Sequence, residues 1–191
     1  MTSTKAGSSR FSWLGPVAGI LTGVLWIVLE VAFISNLGPG VVIVPVFVLP
    51  VVSILFAIGL RKALRPSSSK FATIGAAFFG ASFVELLVGG ILAPSLPGGF
   101  FTVALLAVVL LSVALPALGY VQWKSPEFPN WNAYMAFLAV VGFWTLSPLM
   151  SSNGIGLLAF SGRLVLFAAW VFASAIFLWR KLRTVAAMPT S

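Results

Sequence analysis

Along the 191 residues, long apolar stretches alternate with short polar or turn-rich ones, six times over. The apolar runs cover about residues 14–35, 41–60, 71–92, 100–120, 132–150 and 157–179. Each approaches the roughly 20 residues a helix needs to cross a hydrocarbon core of about 30 Å. The pattern predicts an all-α, polytopic membrane protein with six transmembrane helices in a single domain, residues 1–191, with flexible tails at 1–10 and 184–191. The fifth run is the shortest. The first is longer than the apolar core of a secretory signal peptide and is followed by further spans, so it is expected to stay attached.

The connections alternate in character. Asn36 to Gly40, Ala93 to Gly99 and Ser151 to Gly156 are short, uncharged and made of turn formers, too small for an ectodomain. The other side holds the charge: Lys5 and Arg10, then Arg61, Lys62, Arg65 and Lys70, then Lys124, then Arg180, Lys181 and Arg183. Arg163 is the exception among the eleven basic residues, lying inside the sixth run. The positive-inside rule therefore predicts both termini in the cytoplasm; the plasma (inner) membrane is the expected location.

Composition narrows the chemistry. The chain is 60% hydrophobic and 7% charged, which suits lipid as the main solvent. Its net charge of +8 is spread over four juxtamembrane segments, so topology explains it better than nucleic-acid binding does. The Arg61–Arg65 cluster also suits anionic headgroups, making membrane lipids a natural partner. There is no Cys, His or Asp, so disulfides, thiolate metal sites, imidazole-ligated haem or zinc and Ser-His or Cys-His nucleophiles cannot be built. No metal or cofactor is expected, and the chain does not read as an enzyme; a lipid-active one would have to work with Glu, Arg and Tyr.

Three ionisable residues lie inside the runs, Glu30, Glu85 and Arg163, each costing about 2.5–3.5 kcal/mol at mid-membrane. Counted from the outer ends of their spans, all three fall roughly 7–11 Å deep at 1.5 Å per residue, which predicts a buried polar cluster in one layer. Arg163 would satisfy one carboxylate and leave the other to bind a cation or carry a proton. Two plainer readings compete: Arg163 snorkels to the interface, or the cluster only fixes helix register.

Gly15, Gly19 and Gly23, spaced by four, mark a face on which another helix packs closely, and Glu30 falls within about 20° of Gly19 and Gly23 on the helical wheel. Pro45, Pro50, Pro116 and Pro148 lie within predicted spans and are expected as helix kinks that shape packing. Residues 120–131 carry Trp123, Phe128 and Trp131 among prolines, the make-up of an interfacial aromatic belt or of a docking surface. Arg10-Phe11-Ser12-Trp13-Leu14-Gly15 echoes Lys70-Phe71-Ala72-Thr73-Ile74-Gly75 at an offset of 60, which suggests two-helix hairpins as the building unit.

The Gly162-Arg163 pair followed by Trp170, with the basic end Arg180-Lys181-Leu182-Arg183, resembles the last helix of small six-helix bacterial membrane proteins of unknown function. That resemblance covers one helix and implies no activity. Two functions remain. One is a non-catalytic membrane subunit or scaffold assembling with other membrane proteins or with itself. The other is a small carrier or channel for an ion, proton or small solute, working through the Glu30, Glu85 and Arg163 cluster.

Overall fold

The computed structural model describes residues 13–35, 39–92, 99–146 and 155–186, with side chains placed over most of 13–32, 44–89, 105–144 and 165–183. The described residues form six helices: α1 (Leu14–Ile34), α2 (Pro39–Leu64), α3 (Ser69–Leu92), α4 (Gly99–Lys124), α5 (Asn130–Leu146) and α6 (Ile155–Ala186). Five of them are long and apolar enough to cross a membrane, and α5, at 17 residues, falls short by length. The protein is a helical, multi-pass membrane protein.

The helices stand in a closed ring. Each packs on the next in sequence, α6 closes back on α1, and α2 and α6 also touch across the middle. Neighbours run antiparallel, as their contacts show: Gly15, Gly19 and Gly23 of α1 meet Leu178, Ala175 and Phe172 of α6 in descending order. The ring follows from short connections, since a helix that ends in a tight turn must return beside itself.

Glycine sets the tightest approach. A methyl carbon added at Gly15 would stand 3.0 Å from Gly59 Cα, and one at Gly19 would stand 2.6 Å from the Phe56 ring and 2.8 Å from Ala175 Cβ. Gly15, Gly19 and Gly23 lie against α2 and α6 of the same chain. Gly75, the counterpart of Gly15 in the 60-residue sequence echo, packs on Leu118 of the helix that follows.

The space inside the ring is filled by aromatic rings. Trp26, Phe56, Phe79, Phe83, Phe143, Phe167 and Trp170 are buried and contact one another, with centroids 4.9 Å apart for Trp26 and Phe167 and 5.1 Å for Phe79 and Phe83. Outward, the helices expose Val, Leu, Ile and Phe, as lipid contact requires.

Several helices pass their expected ends. α4 runs on to Lys124 and α6 to Ala186, and α2 is helical through Pro45 and Pro50 as α4 is through Pro116. Pro39 and Gly40, Gly99, and Ile155 and Gly156, expected in the uncharged connections, open α2, α4 and α6; Pro148 and the rest of those connections lie outside the described residues.

Candidate functional site

The expected carboxylate layer separates into two places. Glu30 is buried, 5% exposed, on the inner face of α1. It lies within about 20° of Gly23, whose neighbour is Phe172 of α6, and about 40° from Trp26, whose neighbours are Phe83, Phe143 and Phe167. The α1/α6 register brings it level with the turn of α6 that follows Arg163, whose side chain is outside the described residues.

Glu85 lies elsewhere. Phe83 points to the centre of the ring, against Trp26, Phe79 and Phe167. Two residues further along an α-helix is about 160° around the axis, so Glu85 faces away from that centre. Its neighbours Ala81, Val84 and Val88 are exposed, the side chain is half-buried, and Oε2 is enclosed with no hydrogen-bond partner. The direct contact of Trp26 with Phe83 puts Glu85 about level with Val28, two residues or roughly 3 Å from the level of Glu30. Direction, more than depth, keeps the two carboxylates apart.

A polar cluster that the sequence did not disclose lies nearer the other end. Ser174 Oγ of α6 accepts hydrogen bonds from Gln122 Nε2 of α4 at 2.9 Å and Asn132 Nδ2 of α5 at 3.0 Å. Trp170 Nε1 donates to Gln122 Oε1 at 3.0 Å. All four residues are fully buried, and Asn132 Oδ1 has no partner. The extension of α4 to Lys124 and the start of α5 at Asn130 carry Gln122 and Asn132 into the bundle. Four side chains from three helices thereby satisfy most of each other's hydrogen-bonding capacity, as buried polar groups must.

Directly after the extended α4, the turn 125–129 is tied down by charge. Lys181 Nζ stands 2.8 Å from Glu127 Oε1 and donates to Ala63 O, at the carbonyl-rich end of α2, at 3.0 Å. Ser125 Oγ donates to Glu127 Oε2 at 2.7 Å. Partial burial pushes the Glu127 carboxyl up, but the bonds from Lys181 and Ser125 and the Lys181 charge outweigh it and hold the group below the usual carboxylate range. Lys181 therefore joins α2, α6 and the α4–α5 turn.

That end of the ring holds every basic side chain described: Arg61, Lys62, Arg65, Lys70, Lys124, Arg180, Lys181 and Arg183. Among the aromatic residues of the same end, Trp123 and Trp131 are exposed. Phe128 departs from the expected belt: it turns inward, 3% exposed, and packs on Phe177 at 5.9 Å.

No family model matches the chain, and no solved structure matches it. The chain is similar to an uncharacterized protein of Archaeoglobus fulgidus, 28% identical over 172 residues, an alignment that covers 85% of this chain and 99% of the relative.

Proposed function

We propose that the protein is a non-catalytic membrane subunit or scaffold, seated in the plasma membrane as six spans with the basic end and both termini in the cytoplasm. The observation that carries this reading is the solid centre of the ring. Seven aromatic side chains occupy the place where a carrier or channel would need a polar path. The buried Gln122, Asn132, Ser174 and Trp170 cluster hydrogen-bonds internally and pins three helices, which is work for a rigid body. The shortness of α5 is compatible with a sixth span, because Trp131 and Tyr134 at its start are exposed aromatics suited to a headgroup layer.

Purification of the tagged protein from its native membrane in a mild detergent, with intact-complex mass, tests the reading. A stoichiometric second chain or a defined homo-oligomer is the expected result; a monodisperse lone chain would refute it. Orientation has its own test, because the chain lacks cysteine. A single cysteine replacing Ser67, in the α2–α3 turn, should resist a membrane-impermeant maleimide in intact cells and react after permeabilisation.

The competing reading, a small carrier, draws its support from Glu30, a carboxyl buried inside a span on the inner face of α1. It requires proton- or cation-coupled flux in proteoliposomes that Glu30→Gln abolishes without loss of the folded protein.

A further inference from the structure

Of the two carboxylates within described spans, Glu85 points away from the packed centre, with its side chain half-buried at the outer flank of α3. Its Oε2 is enclosed without a hydrogen-bond partner, while Val84 and Val88 beside it are 40% and 47% exposed. Hydrocarbon offers a carboxylate nothing, and residues of this kind in membrane helices pair with another charge or a donor. The flank is also low in relief. Ala77 and Ala81, spaced by four and both exposed, precede Glu85 at the same spacing, the interval at which Gly15, Gly19 and Gly23 admit their neighbours inside the ring.

We infer that the α3 flank formed by Ala77, Ala81, Glu85 and Val88 receives a transmembrane helix of a different protein, which brings a Lys or Arg side chain to the Glu85 carboxyl. The inference rests on the subunit reading and names the contact through which that subunit assembles. Charge complementarity selects the occupant: a carboxylate in an apolar layer gains most from a cation with N–H donors. A second copy of this chain is a poor match. In the same orientation it carries its described cations at the far end of the ring, away from the level of Glu85.

The absence of cysteine allows a direct test with the full chain in its native membrane. Val88→Cys, and separately Val51→Cys on the exposed face of α2 as a control, are labelled with a maleimide-benzophenone and irradiated. The complex is then purified and the adduct mapped by mass spectrometry. The expected result is an adduct from Val88→Cys alone, in an apolar span of a foreign chain with a Lys or Arg within one turn of the cross-link. Glu85→Gln should reduce co-purification of that chain about tenfold or more, and Glu85→Asp should restore part of it, with the detergent melting temperature of both variants unchanged. An adduct with a second copy, an adduct in a span without a cation, or unchanged co-purification by Glu85→Gln would overturn the inference. If a stoichiometric foreign chain is present but cross-links to the α2 flank, the Glu85 contact falls and the subunit reading stands. If no second chain or copy accompanies the protein at all, both fall.

Discussion

Gly19 is the position at which one methyl group should do the most damage. An alanine Cβ there would lie 2.6 Å from Phe56 Cδ2 and 2.8 Å from Ala175 Cβ, against the 3.5–4.0 Å or so at which carbon atoms pack without repulsion. Neither neighbour can yield cheaply. Phe56 is fully buried and held between Phe79 and Trp170, with centroids 6.0 Å and 6.3 Å away, and the Ala175 methyl is fixed to its backbone. Relief therefore requires α1 to move away from α2 and α6 together. Overpacking of this kind costs about 1–3 kcal/mol, while exchanging a helical glycine for alanine gains up to about 1 kcal/mol of intrinsic helix stability. Gly19→Ala should thus destabilise the fold by roughly 1–2 kcal/mol. Gly80→Ala is the matched control: its Cβ would meet Ile54 Cγ1 at an ordinary 3.5 Å, so it should be neutral or slightly stabilising. Reversible unfolding in mixed micelles with rising dodecyl sulfate, followed by tryptophan fluorescence, measures the difference. If Gly19→Ala proves as stable as Gly80→Ala, the close packing of α1 described above is wrong.

Three further expectations follow from the basic end. Ser174→Ala leaves both Gln122 Nε2 and Asn132 Nδ2 without their acceptor, at about 1–3 kcal/mol for each buried orphan; Asn132→Ala removes one donor together with an already unpartnered oxygen. The same unfolding assay should rank Ser174→Ala as the more damaging, and the reverse order would refute the network. Glu127 has a lowered pKa, so its contribution to stability is complete above the usual carboxylate range and is lost as pH falls through the value in the folded protein. Lys181→Met removes the main partner, and the thermal midpoint of that variant should change less between pH 6 and about pH 3 than that of the parent protein. An equal acid response in both would discount the ion pair. Gln122→Leu should expose its cost spectroscopically, because Trp170 Nε1 loses its acceptor; an unaltered Trp170 indole N–H signal in the magnetic resonance spectrum would show that the bond is not made in solution.

What the sequence disclosed and what it withheld follow from two different kinds of physical signal. Span positions were legible because crossing a bilayer demands a long apolar run, and α1 and α3 fall where the runs do, to within about two residues. The glycine interval on α1 was legible because only a small residue permits the approach that Gly15 makes to Gly59. The direction each helix faces was hard to read. In a helix that is apolar on every side, lipid-facing and core-facing residues have the same composition: Phe47 is exposed and Phe56 buried in one helix. For the same reason Glu30 and Glu85 could be counted to similar depths from their span ends but not assigned to faces, and the faces differ.

Gln122 and Asn132 went unread for a separate reason. Both lie at the margins of an apolar run, where polar residues ordinarily meet headgroups and water, and the run ends before the helix does. A polar residue at such a margin is structural when its helix continues and interfacial when it stops, so the length of α4 decides the matter. The relevant signal was the amide of Gln122 lying between Val121 and Trp123, a position no turn requires, opposite a Ser174 that shares its helix face with Trp170 at an interval of four. The same reasoning separates the polar inventory of this protein by purpose. Of the groups that meet internal partners, Gln122, Asn132, Ser174, Trp170, Glu127 and Lys181 cluster toward one end and tie it together, while Trp144 and Ser112 pair singly nearer the other. Glu85, further out and on the opposite face of its helix from the packed centre, gains nothing from those ties, which is why its explanation has to be sought in what surrounds the ring.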